Sequence, residues 1–135
     1  VLNGDTLFCI DFDALYQRHD ASKSELTVVL RHVDDVARYG AVLCDSEGRI
    51  TSFVEKDASH GAGLINGGVY LMNRHLLDAF HVGDRFSFEA DILQAWYAEH
   101  LFVGYADSGY FIDIGVPEDY ERAQHDFSDV NLFNH

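Results

Sequence analysis

The chain has 135 residues, 47% hydrophobic and 13% aromatic, enough apolar material for one buried core and too little for two domains. Nine lysines and arginines against 23 aspartates and glutamates give a formal charge of -14, which argues against nucleic acid or an anionic membrane as partner, since both attract basic surfaces. No apolar run approaches the roughly 20 residues of a membrane span and no charged-then-apolar leader is evident, so a soluble protein is expected, while Cys9 and Cys44, in no metal-ligand spacing, fit a reducing cytoplasm as small buried hydrophobes.

Val1 and Leu2 read as the tail of a strand, so the chain is expected to begin in mid-domain. After Asp5, residues Phe12, Leu15, Tyr16 and His19 fall at helical spacing, with Asp11 available as N-cap. Glu25 to Val33 is rich in β-branched residues and predicts a buried strand ended by Asp34 and Asp35. Ala41 to Cys44 and Ile50 to Glu55 predict a hairpin around a loop in which Gly48 takes the left-handed backbone. The small polar stretch Asp57 to Gly63 predicts a mobile loop, and Leu64 to Met72 resumes as an apolar strand. Gly67 and Gly68 interrupt that strand, which points equally to a bulge, tight packing or a ligand approaching the backbone.

Asn73 is placed to cap a short helix through Phe80, and Phe88, Ile92, Leu93, Trp96 and Tyr97 mark the core face of a longer helix ending near His100. Leu101 to Tyr105 and Tyr110 to Ile114 predict strands. Pro117 then starts a last helix, with Glu118 and Asp119 near its positive end. Strands alternating with helices, plus one hairpin, indicate an α/β sheet of mixed direction in a single domain over 1–127, followed by a frayed tail over 128–135.

The chemistry is carried by carboxylates at opposite ends of the sequence. Asp5 in VLNGDT and Asp113 in GYFIDIGVPEDY each follow a short apolar run, and open α/β sheets bind ligands in the crevice beyond such strand ends. Two carboxylates there can share one Mg²⁺ with phosphate oxygens, although acidic residues at strand ends also cap or solvate turns. The eight histidines form no HExxH or close pair and are expected to be scattered over the surface. No GxSxG elbow is present, so acyl-transfer hydrolysis has no support.

In order, the segments VLNGDT, RYGAV, FVEK, LINGGVYLM, FSFEADIL and GYFIDIGVPEDYERA resemble the second half of a sugar-phosphate nucleotidyltransferase, from Val1 to about Phe127. LINGGVYLM and GYFIDIG are most similar to the branch that makes GDP-heptose or GDP-mannose from the sugar 1-phosphate. The resemblance implies the second half of a Rossmann-like nucleotidyltransferase fold, with a mixed, mostly parallel sheet, flanking helices and one β-hairpin. It implies a reaction in which a sugar 1-phosphate oxygen attacks the α-phosphorus of a nucleoside triphosphate, GTP in that branch, and pyrophosphate leaves. By the same resemblance Asp5 and Asp113 hold Mg²⁺ and Lys56 of the EK pair holds the sugar phosphate. Glu55 accepts from sugar hydroxyls, Asn66 and Gly67 line the sugar pocket, Gly40 contacts the sugar through its backbone, and Glu89 stands near the sugar. On the residues alone, Lys56 and Glu55 are equally an exposed strand-end lysine and its solvated neighbour.

Two departures qualify the expectation. The glycine-rich loop ending in Thr-Arg and followed by a Pro-Lys pair, which seats the nucleotide in that family, has no match here, and Gly61 to Gly63 lacks the GK[ST] that would make it a substitute. The chain alone is therefore expected to be inactive. Val116 stands where the family commonly has Thr, removing a helix-capping hydroxyl. A non-catalytic sugar-phosphate sensor or regulatory subunit is the alternative, and an acidic structural module without ligand a third. Exposed strand edges make a homo-oligomer plausible in either functional case.

Overall fold

Strand β2 (Leu26–Val33) is where the core begins: from Leu26 to Leu30 no residue is more than 1% exposed, so both faces of the strand are covered. Strand geometry divides its side chains by alternation. Leu26, Val28 and Leu30 pack with Ile92, Leu93 and Phe102, whereas Val29 packs with Phe8, Leu15 and Val69 on the other face. The structure, a computed structural model, describes residues 1–80 and 83–128. The expected tail therefore lies, apart from Ser128, outside the described residues.

The first strand, expected at Val1 and Leu2 ahead of Asp5, instead lies beyond Asp5, with Leu2 making only an isolated bridge to Val69; the later elements follow the expected order. Strand β1 (Thr6–Phe8) is followed by helix α1 (Phe12–Ser22), whose N-cap Asp11 accepts a hydrogen bond from the Ala14 N–H at 3.0 Å. After β2 come the hairpin strands β3 (Ala41–Cys44) and β4 (Ile50–Val54), with Gly48 at φ 85°. Then follow β5 (Gly63–Met72), α2 (Arg74–Ala79), a π-helix (Phe88–Gln94), β6 (Phe102–Ala106), β7 (Phe111–Asp113) and α3 (Pro117–Asp126). None of the described helices is long and apolar enough to cross a membrane.

Pairing is mixed, as expected, but it is not mostly parallel. Among the described residues β2–β6 is parallel, whereas β2–β5, β1–β7 and β3–β4 are antiparallel. The mostly parallel sheet was implied by the resemblance alone; a continuous apolar run such as β2 or β5 reports that both faces are buried and is silent on strand direction. The histidines also depart from expectation. His19 is buried at 8% exposure, its ring bonded to the Thr27 hydroxyl at 2.8 Å and the Asn73 side-chain oxygen at 3.0 Å. Asn73 is thereby occupied and makes no side-chain cap on α2. His100, half-buried, pairs with Glu25 at 3.1 Å.

The β2–β5 register slips between Val28 and Leu30, where Val28 faces Tyr70 and Leu30 faces Asn66, so Gly67, Gly68 and Val69 form a bulge. The N-terminal segment crosses there: Leu2 bridges Val69 and the Asn3 N–H donates to the Gly68 carbonyl at 2.8 Å. A Cβ on Gly67 would stand 2.6 Å from the Phe8 ring and 2.9 Å from the Val29 carbonyl oxygen. Gly67→Ala is accordingly expected to cost about 1–3 kcal/mol through overpacking, read as a melting temperature lowered by several degrees. An unchanged melting temperature would show that β1 yields freely.

Candidate active site

The bulge on β5 decides where the first carboxylate stands. Leu2 and Asn3 are tied to Val69 and Gly68, and the chain turns through Gly4 and Asp5 into β1. That strand pairs with β7 in the register Thr6 to Asp113, and the Asp5 carbonyl accepts the Ile114 N–H at 3.0 Å. The ladder thus brings Asp5 alongside Asp113, 108 positions away in the sequence. A Cβ built on Gly115 would stand 3.0 Å from Asp113 Oδ1 and 3.6 Å from Asp5 Oδ2, so both carboxylates reach one small region of space.

Asp113 is half-buried, and its Oδ1 accepts the Gly115 N–H at 2.9 Å. Its carboxyl is held above the ordinary carboxylate range. Burial is the largest cause; the Gly115 N–H opposes it, the charges of Asp5 and Asp119 add to it, and Lys56 counters them. Helix α3 begins directly behind. Val116 caps it without a side-chain bond, and Asp119 Oδ2 instead accepts the Asp113 N–H at 3.3 Å, so Asp113 is steadied from the helix by a carboxylate rather than by a threonine hydroxyl.

The opposite wall comes from the hairpin. Gly40, at φ 78°, lies so close to the end of β4 that a Cβ there would meet the Val54 carbonyl oxygen at 2.5 Å and the Glu55 and Lys56 backbones at 3.5 Å. Only glycine suits both the left-handed backbone and this approach. The Asp57 N–H donates to the Ala37 carbonyl at 2.9 Å, clasping the loop that carries Gly40 to the turn that carries Glu55 and Lys56.

Between these walls lies a cleft of about 530 Å³ lined by Asp5, Gly40, Glu55, Lys56, Asn66, Glu89 and Asp113 together with other residues. Seven of the eight residues singled out from the sequence thus meet at one place. Gly67 does not line it; its bare backbone accommodates Phe8 instead. Asn66 lines it with a side chain already engaged, donating to the Tyr70 hydroxyl at 2.8 Å and accepting the Gly68 N–H at 2.9 Å. Burial above all pushes the Tyr70 phenol up, so it stays a neutral partner. Glu89 comes from the π-helix, which also presents Leu93 and Gln94.

Sequence reasoning passed over Arg38, Tyr39, Asn3 and Gln94, which line the same cleft. For Arg38 and Tyr39 the signal was at hand, since both belong to the RYG segment that supplied Gly40.

Among the described residues no three His, Cys, Asp or Glu side chains come together as an all-protein metal cage. The pair Asp5 and Asp113 is nonetheless the donor set that suits Mg²⁺, which takes one or two carboxylates and completes its shell with water and substrate phosphate. Two like charges converging on one region, one of them half-buried, are what a divalent cation relieves.

A mixed sheet flanked by helices, with a polar, carboxylate-lined cleft where strand ends and hairpin meet, defines an α/β protein of the Rossmann-like class. The chain belongs to the nucleotidyl transferase family, whose model matches residues 1–130. It is 40% identical over 124 residues to D-glycero-alpha-D-manno-heptose 1-phosphate guanylyltransferase of Aneurinibacillus thermoaerophilus, covering 92% of this chain and 53% of that protein. It is 33% identical over 128 residues to mannose-1-phosphate guanylyltransferase of Mycobacterium tuberculosis, covering 93% of this chain and 36% of that one. HddC from Yersinia pseudotuberculosis superposes with a TM-score of 0.81 at 36% identity, over 94% of this chain and 54% of HddC, and its crystal structure complexed with GMP-PN gives 0.78. The chain thus spans about half the length of the heptose enzyme and of HddC, and less of the mannose enzyme.

Proposed function

We propose that the chain carries the sugar 1-phosphate and metal side of a guanylyltransferase, acting on heptose or mannose 1-phosphate with GTP to give a nucleotide-sugar and pyrophosphate. The observation that carries this is the convergence of Asp5 and Asp113 in a cleft that also holds Lys56 and Glu55. In support, relatives of both sugar specificities bear guanylyltransferase names, and HddC was crystallised with a guanine nucleotide. The nucleotide-seating signature has no match in these residues, so the base and triphosphate are assigned no seat here.

Each residue then has one task. Lys56 offers a compact ammonium to the sugar phosphate, and Glu55 accepts from a sugar hydroxyl. Gly40 and Asn66 shape the wall against which the sugar rests, with Glu89 beside it. Asp5 and Asp113 would hold Mg²⁺, which supplies neutralisation of the charge that gathers on the transferring phosphate. In the reaction a bond forms from the sugar phosphate oxygen to the α-phosphorus, and the bond from that phosphorus to the pyrophosphate oxygen breaks.

Calorimetric titration of the chain with mannose or heptose 1-phosphate, with and without Mg²⁺, tests the proposal, alongside an assay of pyrophosphate release from GTP. Mg²⁺-dependent binding without turnover by this chain alone is the expected result. Turnover by the chain alone would overturn the division of labour, and absence of Mg²⁺-dependent binding would overturn the site. A form extended by the nucleotide-seating half separates enzyme from sensor, because a sensor would bind the sugar phosphate and still release no pyrophosphate.

A further inference from the structure

We propose that Arg38 is a second phosphate-binding residue of the cleft, held at rest by Glu118 and exchanged onto the phosphate of the incoming ligand. This rests on the sugar 1-phosphate reading above and adds to it a residue and a resting partner. The starting point is charge. The cleft is lined by the carboxylates of Asp5, Glu55, Glu89 and Asp113 but by two basic side chains, Lys56 and Arg38. A phosphate monoester carries about -1.5 to -2 at neutral pH, so one ammonium among four carboxylates leaves it under-compensated even with one divalent ion at the Asp5–Asp113 end.

Arg38 is already in the geometry that recognises an oxyanion. Its two terminal nitrogens donate to the two oxygens of Glu118 at 3.1 and 3.2 Å, a fork-to-fork arrangement that two phosphate oxygens reproduce equally well. The pair joins the walls of the cleft, since Arg38 lies on the β2–β3 connection next to Tyr39 and Gly40 while Glu118 lies in the first turn of α3, just after Gly115 and Val116. Arg38 and Asp113 both act on Tyr39, which lines the same cleft: burial raises the Tyr39 phenol most, Asp119 and Asp113 add to that, and Arg38 and Arg122 oppose it.

Exchange is easy for two reasons. The side chains of the pair are 60% and 66% exposed, and ion pairs at such exposure contribute little. Glu118 also has other support: its own backbone N–H, at the positive end of α3, is the largest influence keeping its carboxyl below the ordinary range, with Arg38 second. Departure of Arg38 therefore leaves Glu118 compensated by the helix, whereas arrival of Arg38 at the phosphate answers a charge that the cleft otherwise repels. A purely structural pair predicts the opposite pattern, in which losing either partner has the same effect.

The test is the dissociation constant of mannose 1-phosphate, and of inorganic phosphate as a sugar-free probe, at fixed Mg²⁺ for the chain and its Glu118→Gln, Arg38→Gln, Arg38→Lys and Lys56→Ala variants. Thermal melting of each variant checks folding. Glu118→Gln is expected to tighten binding about three- to tenfold by freeing the guanidinium, and Arg38→Gln to weaken it about tenfold or more. Arg38→Lys should fall between, and Glu118→Gln should give no tightening when combined with Arg38→Gln. If wild type binds and Lys56→Ala weakens it while both Arg38→Gln and Glu118→Gln bind as wild type, or both weaken it alike, the exchange is refuted and the cleft assignment stands. If wild type shows no Mg²⁺-dependent binding, the cleft assignment fails and takes this inference with it.

Discussion

Asp113→Asn should lower turnover by on the order of a thousandfold in any form of the protein that turns over, abolish the stabilisation conferred by Mg²⁺, and raise the melting temperature of the metal-free chain. The three expectations have one cause. Burial, Asp5 and Asp119 hold the Asp113 carboxyl above its ordinary value, so the folded chain binds that proton more tightly than the unfolded chain does. At neutral pH the ionised carboxylate therefore weighs against folding, and this contribution improves as pH falls through the folded value and levels off below the ordinary carboxylate range. Other carboxylates, Glu25, Asp35 and Glu118 among them, are shifted downward and slope the other way, so the measurement is the difference in melting temperature between wild type and the Asn variant across pH. That difference should favour Asn at pH 7 and close as the pH approaches 4. Adding Mg²⁺ should reverse its sign at pH 7, because only the carboxylate gains a partner. A variant no more stable than wild type without metal, and equally stabilised by Mg²⁺, would remove Asp113 from the metal site.

The contrast between what the residues announced and what they concealed follows from the range of the interactions. Asp11 capping α1, Gly48 at a left-handed turn and Pro117 opening α3 are local events, written in residues within a turn of where they act. The π-helix at Phe88–Gln94 is indistinguishable from ordinary helix in the sequence because the spacing of its apolar residues suits either geometry, and the backbone bonding that separates the two leaves no mark in composition. Gly67 and Gly68 signalled a bulge or a close approach, and both occur, since the chain carrying Asn3 and Phe8 crosses β5 there. What crosses a given strand is a long-range fact. His19 was misplaced for the same reason: its hydrogen-bonding partners Thr27 and Asn73 come from a neighbouring strand and from the start of α2, and no periodicity in α1 foretells them. The site behaves likewise. No local pattern brings Asp5 to Asp113: their strand-end positions make a meeting possible, and likeness to a family in which both motifs recur in order makes it specific, whereas nothing in the RYG segment beyond its nearness to Gly40 marks Arg38 as facing the cleft.

Lys56→Ala should weaken sugar 1-phosphate binding by roughly 10- to 150-fold while leaving the melting temperature of the free chain almost unchanged. Lys56 is one of two lysines in the chain and is exposed, so its removal takes little from the core, and substitutions at such positions usually stay within about 0.5 kcal/mol. Binding differs because of what remains. Without Lys56 the lining cations reduce to Arg38, which is paired with Glu118, and a phosphate approaching Asp5, Glu55, Glu89 and Asp113 meets like charge on most sides. The loss should be steeper at low salt, where screening is weak, and Lys56→Met should match Ala, which separates the charge from the aliphatic stem. Lys56→Arg should recover only part of the affinity, since a planar fork does not reproduce the contacts of a compact ammonium. Binding changed less than about threefold by Lys56→Ala, at any salt concentration, would mean that the phosphate is held elsewhere.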